Sequence, residues 1–228
     1  MNLSQLNLPV IKLLVAKDWK LFEKQLAVCV VAGIAALCLI GLAKGWSFYV
    51  GSLLMIIVLV SAACFSISTS VLVERKEQTL AFVMSLPVTP LDYYLAKLIG
   101  NLITFLVPFL VLLAGTMLVI GYTPLPNGLV PFSLLIFGHV LLAYAVSLSV
   151  AMAVESEGWN LFAMIGSMVL INPFIMVLGQ LPVISQNVET NSIVFGPILA
   201  SILLFQLVTS VALLATTGWV HCRKQSFY

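Results

Sequence analysis

Few side chains in this chain could carry out chemistry, and they fall at three places. His139 lies inside a long apolar run, where an ionisable residue suggests contact with a substrate or a proton, or a hydrogen bond to a neighbouring helix. Glu155 and Glu157 form a carboxylate pair that could exchange protons. No nucleophile or metal-ligand pattern accompanies them, so contact with another protein or solvation is the better interpretation. The third place is the polar segment 73–96.

The remaining reactive side chains indicate no catalytic or metal site. No pair among the four cysteines has the short spacing of a zinc or redox motif, which favours packing of small apolar side chains: Cys29, Cys38, Cys64 and Cys222. The sequence also contains no Gly-x-x-x-x-Gly-Lys-Ser/Thr phosphate loop. We therefore expect no metal or cofactor in this chain and no enzymatic activity of the chain by itself.

The elements that position these residues are apolar helices. Hydrophobic residues make up 62% of the 228 residues, charged residues only 8%, and the mean hydropathy is +1.18. Soluble domains carry roughly 25% charged residues, so a water-soluble fold is excluded. The sequence predicts an all-α membrane protein with about six transmembrane helices. The expected spans lie at about 25–43, 47–72, 97–120, 129–154, 161–179 and 195–219.

Basic residues predict the orientation of these spans. Nine of the ten Lys and Arg residues fall on one side, and only Lys44 falls on the other. Positively charged short loops stay in the cytoplasm, so both termini are expected there, in a multi-pass protein of the cell's inner (cytoplasmic) membrane. Residues 1–24 predict an amphipathic helix in the cytoplasmic interface, residues 25–219 the six-span domain, and residues 220–228 a cytoplasmic tail.

The polar segment 73–96 predicts a docking element for another protein. Charged residues at its start are followed by apolar Leu80, Phe82 and Met84, and then by Pro87 and Pro90. Apolar side chains on a cytoplasmic loop favour a groove on a partner, and the flanking charges give register. An ordinary solvated loop is the alternative on this argument alone.

The segment also resembles a known family. Its Glu74-Arg75-Lys76-Glu77-Gln78-Thr79-Leu80, Ser85-Leu86-Pro87-Val88-Thr89-Pro90 and Tyr94-Leu95-Ala96-Lys97-Leu98 resemble the permeases of type-2 ABC exporters. That family also shares the interfacial helix, the six spans and the cytoplasmic ends. The specific part of the resemblance covers about 25 residues.

The resemblance implies a coupling helix that docks on a separate ABC ATPase subunit, which binds ATP and Mg. The implied interface residues are Glu74, Glu77, Thr79, Leu80, Phe82, Leu86 and Pro87, with Lys97 at a further matching position and Glu155 and Glu157 as a possible second contact. A second permease chain, most simply an identical one in a homodimer, and membrane lipid are the other implied partners, and nucleic acid is not.

The expected function is ATP-driven export of a hydrophobic or amphipathic substrate such as a drug, peptide or lipid. A heme exporter permease of cytochrome c maturation is the nearest alternative, because it has a similar size and span number. A stand-alone secondary transporter is the other, although the spans contain almost no charges for ion coupling.

Overall fold

The protein is described by a computed structural model that covers residues 8–76, 90–154 and 156–223. All regular structure within these residues is helical. By length and composition, six of the helices could cross a membrane: Leu8–Gly41, Gly45–Leu72, Asp92–Tyr122, Leu129–Ala153, Glu157–Gln180 and Pro197–Trp219. The prediction of an all-α membrane protein with six spans is therefore confirmed.

The helices follow one another with short connections. In chain order they are α1 (Leu8–Gly41), α2 (Gly45–Ile67), α3 (Val73–Lys76), α4 (Pro90–Tyr122), α5 (Leu129–Ala153), α6 (Glu157–Val169), α7 (Ile171–Gln180), α8 (Pro182–Ser185) and α9 (Pro197–Arg223). A five-residue π-helical segment, Ser68–Leu72, joins α2 to α3. Short π-helical turns inside α-helices are often found at functional sites.

The predicted N-terminal helix is present and runs into the first span without a break. With 34 residues, α1 is about 51 Å long at about 1.5 Å per residue. A hydrocarbon core is only about 30 Å thick, so α1 extends well beyond it. Its position in the cytoplasmic interface stays a prediction.

The fifth span consists of two helices that meet at Leu170. Its α6 part ends at Val169, and its α7 part begins at Ile171. The cause is Pro173, which has no backbone N–H and whose ring clashes with the carbonyl of the residue four positions earlier, Val169. The break interrupts the hydrogen-bond ladder at the same point.

Two groups of helices form the bundle. The first helix, α1, packs along α2 and α4, whereas α5 packs along α6 and α9. The main core lies where α2, α4 and α5 meet, and there the ring of Phe105 stacks on that of Tyr144 with centroids 3.9 Å apart. A smaller apolar cluster of Leu135, Leu178, Ile184 and Leu199 joins α5, α7, α8 and α9.

Candidate functional site

Four charged side chains meet at one end of the bundle, and we call them the charge cluster: Lys17, Asp18, Glu74 and Lys97. They come from α1, from α3 just after the second span, and from the first turns of α4. Three of the four are buried: Asp18 and Lys97 are each 2% exposed and Glu74 is 6% exposed. Buried charges are rare in proteins unless they are paired, so this arrangement is the first candidate for function.

Lys97 is the centre of the charge cluster. Its Nζ lies 2.9 Å from Oδ2 of Asp18 and 3.1 Å from Oδ1. The same Nζ lies 2.8 Å from Oε1 of Glu74. Lys17, which is half-exposed, donates to the same Glu74 oxygen at 2.7 Å. Two ammonium groups, one buried and one half-exposed, therefore face two buried carboxylates.

Neutral side chains complete the hydrogen bonding of the charge cluster. The Ser70 hydroxyl in the π-helical segment donates to Oδ2 of Asp18 at 3.0 Å. The Asn101 amide donates to Ser70 Oγ at 3.0 Å and to the Lys97 carbonyl at 2.9 Å. The Tyr93 hydroxyl donates to Oε2 of Glu74 at 3.0 Å. A buried polar network satisfied in this way is rigid and specifies one packing arrangement.

The carboxyl of Glu74, which lies outside the membrane-spanning segments, has a shifted pKa. Burial alone would raise this pKa, but the charge of Lys97 and the hydrogen bonds from Lys17 and Lys97 outweigh burial and hold the pKa below its usual range. Glu74 therefore stays ionised as a partner for both lysines at neutral pH.

Local sequence explains how Asp18 comes to face the bundle. Ile11 and Phe22 are buried on the same side of α1 as Asp18, because positions seven and eleven residues apart fall on one helical face. Lys20 and Lys24 are exposed. Asp18 is the member of the charge cluster that sequence reasoning missed, and its signal was a carboxylate within the apolar stripe of an amphipathic helix.

The charge cluster ties together both ends of the predicted coupling segment. Glu74 lies at the start of the segment, and Lys97 lies just after its end, in α4. The ion pair between them therefore joins the two ends of the segment. Asp18 then joins these ends to α1. The other predicted interface residues lie outside the described residues: Glu77, Thr79, Leu80, Phe82, Leu86 and Pro87. Their role stays a prediction.

The other two sequence candidates lie away from the charge cluster. His139 is half-buried in α5, where its ring stacks on that of Phe174 with centroids 4.5 Å apart. Its buried Nε2 has no hydrogen-bond partner in the described part of the chain. Glu157 is exposed in the first turn of α6, and Glu155 lies outside the described residues. Neither a substrate contact at His139 nor a protein contact at Glu157 is tested by this geometry.

A metal site finds no support in the part of the chain that the structure describes, where no three His, Cys, Asp or Glu side chains come together in a suitable group. What the charge cluster can do is mechanical: it joins three helices through ionic and hydrogen bonds.

Comparison with known proteins adds no relative, since no family model, curated protein or solved structure matches this chain.

Proposed function

We propose that this chain is the membrane subunit of an ATP-driven exporter, in which a separate ABC ATPase binds the cytoplasmic segment 73–96. The observation that carries the proposal is the charge cluster, because it joins both ends of that segment to each other and to α1. A push on the segment is then transmitted to three helices together.

The energetics of the charge cluster suit such a role. Removing one partner of a buried ion pair typically costs about 3–5 kcal/mol, because the other charge stays buried without compensation. The ends of α2 and α4 therefore move with α1 as one unit, since separating them would break the Lys97 contacts to Asp18 and Glu74. In this proposal Glu74 is a positioning residue, and the contacts with the ATPase come from Glu77, Leu80 and their neighbours.

ATP chemistry belongs to the partner in this proposal. The chain has no phosphate loop of its own, so ATP and Mg are bound by the ATPase subunit. A second copy of the permease completes the proposed transporter, and the exported substrate is hydrophobic or amphipathic.

A proton-coupled secondary transporter is the second candidate, because buried carboxylates paired with a lysine resemble an ion-coupling site. The position of Asp18 relative to the bilayer argues against a coupling site. Coupling sites usually lie near the bilayer midplane, whereas Asp18 lies about 35 Å along α1 from its far end at Gly41. That distance exceeds the hydrocarbon thickness of about 30 Å.

Purification of the full chain from its native membrane tests the proposal. We expect an ATPase subunit to accompany the wild type and to be lost from the double variant Glu77→Ala/Leu80→Ala, which leaves the charge cluster intact. The readouts are mass spectrometry of the bound chains and the ATPase rate of the purified complex.

The matched control is Glu189→Ala/Ile193→Ala, which also removes one acidic and one apolar side chain. Both residues are exposed, in the connection between α8 and α9. The control should keep the ATPase. Absence of an ATPase from the wild type as well would refute the exporter hypothesis and favour the secondary transporter.

A further inference from the structure

A cavity of about 390 Å³ lies at the end of the bundle opposite the charge cluster. Its lining comes from the end of α1, the start of α2, the end of α4, the start of α5, and α7, with Ile40, Met55, Ile120, Leu129, Phe137 and Ile175 among the apolar residues. Cavities that bind small ligands usually measure about 300–1,000 Å³ and are mostly apolar. This cavity meets both criteria.

Three polar side chains in the lining have no hydrogen-bond partner within the described part of the chain. Ser52, Ser133 and Asn172 contribute to the cavity wall, and no hydrogen bond joins their side chains to any other described residue. Thr116, also in the lining, differs because it donates to the carbonyl of Leu112 at 2.8 Å. An unpaired polar group in an apolar environment is costly, so these three groups are suited to a ligand.

The three groups lie at similar depth. Ser52 is about 10 Å along α2 from its start at Gly45, and Ser133 is about 6 Å along α5 from Leu129. Asn172 is about 12 Å from the end of α7 at Gln180. All three therefore lie about one to two turns from the helix ends on the same side of the bundle, with apolar surface around them.

Among the residues that the structure describes, no charged side chain lines the cavity. A ligand with an ionised head would therefore be desolvated there without a counter-charge, which is strongly unfavourable. We propose that this cavity binds one molecule of a neutral amphiphile, with its apolar chain among the aliphatic and aromatic side chains and its hydroxyl, carbonyl or amide head at Ser52, Ser133 and Asn172. That this molecule is the exported cargo rests on the proposed function, whereas its binding does not.

Photolabelling of the purified full chain in phosphatidylcholine nanodiscs, with no ATPase present, tests the site. The probe is a monoacylglycerol with a photoactivatable diazirine in its chain, and unlabelled monoacylglycerol is the competitor. We expect saturable labelling of the α2, α5 and α7 segments that line the cavity. Peptide mass spectrometry locates the labelled residues.

Variants at one position separate the cavity from the outer surface. Ser133→Ala keeps the volume and removes one hydrogen bond, so the apparent affinity should fall about 3–10-fold. Ser133→Phe fills the cavity and should abolish saturable labelling. Val211→Phe places the same ring on an exposed face of α9 and should label like the wild type, which controls for general effects of added bulk.

Two further probes identify the source and the charge of the ligand. Saturable labelling of the same peptides by photoactivatable diacylglycerol, a neutral bilayer lipid, would assign a bilayer lipid, and labelling by the monoacylglycerol alone would assign a free amphiphile. Equal saturable labelling by the fatty-acid anion would overturn the neutral class. Labelling that rises linearly with the probe and survives Ser133→Phe would overturn the site, while leaving the exporter proposal untouched.

Discussion

At the scale of the residue, Lys97 is the side chain on which the packing of three helices depends. Its ammonium group touches a carboxylate of α1 and a carboxylate of α3, and it lies 5.8 Å from the centroid of the Tyr93 ring. Water is almost excluded from the group. Lys97 therefore contributes to helix packing through its charge as well as through its shape.

Replacing Lys97 by methionine should destabilise the protein by about 3–5 kcal/mol, because Asp18 is then buried without its counter-charge. Chemical unfolding in detergent micelles measures the change in the free energy of unfolding. Lys24→Met is the matched control, since Lys24 is an exposed lysine on α1, the helix that carries Asp18, and it should change stability by no more than about 0.5 kcal/mol. Similar stabilities of the two variants would contradict the role of Lys97.

Acid should weaken the charge cluster through Glu74. The folded protein holds the pKa of Glu74 below its usual range, so the stabilisation is present above the ordinary value of about 4.3 and is lost as pH falls through the lower folded value. We expect the free energy of unfolding to decline below about pH 4.3 more steeply in the wild type than in Glu74→Gln. Glu23→Gln, at an exposed position of α1, should decline like the wild type. Parallel pH profiles for the wild type and Glu74→Gln would contradict a stabilising role for the ionised Glu74 carboxylate.

At the scale of the element, close contact between α1 and α2 depends on one glycine. A Cβ atom on Gly51 would lie 2.8 Å from the backbone nitrogen of Ile40 and 2.9 Å from the carbonyl oxygen of Ala36. Backbone atoms cannot rotate away as a side chain can. Small residues at such crossings let membrane helices approach closely.

Gly51→Ala should therefore push α1 and α2 apart and destabilise the protein by about 1–3 kcal/mol, the usual cost of overpacking. Thermal unfolding in micelles measures the loss. Gly166→Ala is the control, because a Cβ there meets nothing within 4 Å and alanine is the better helix former by up to about 1 kcal/mol. The prediction fails if Gly51→Ala is as stable as Gly166→Ala.

At the scale of the whole molecule, the two ends of the bundle differ in chemistry. One end holds the charge cluster, and the other holds an apolar cavity with three uncommitted polar groups. This separation suits a protein that receives force at one end and binds an apolar molecule at the other, which is the division of roles in our two proposals.

Orientation of the bundle can be measured with an impermeant maleimide on intact cells, after the natural cysteines are replaced by alanine. Positively charged loops stay in the cytoplasm, so Glu189→Cys should be labelled from outside and Lys20→Cys only after the membrane is opened. Both positions are exposed in the protein. Labelling of Lys20→Cys on intact cells would reverse the predicted orientation.

The sequence by itself determined the fold class and the number of spans. This was possible because hydrocarbon forces each backbone segment to satisfy its own hydrogen bonds, so a long apolar run must be a helix. It also singled out the segment 73–96, since a charged stretch between apolar runs must leave the bilayer.

Only the tertiary structure decided which side chains meet. Asp18 and Lys97 are 79 positions apart, and their contact depends on how α1 and α4 rotate and pack, which local periodicity does not specify. The cavity was also decided by the tertiary structure, because its lining comes from five helices. The sequence of one helix does not specify where that helix lies relative to the other four. Apolar surface packs without direction, so the close glycine crossing at Gly51 specifies how α1 meets α2, and the ionic contact of Lys97 with Asp18 specifies how α1 meets α4.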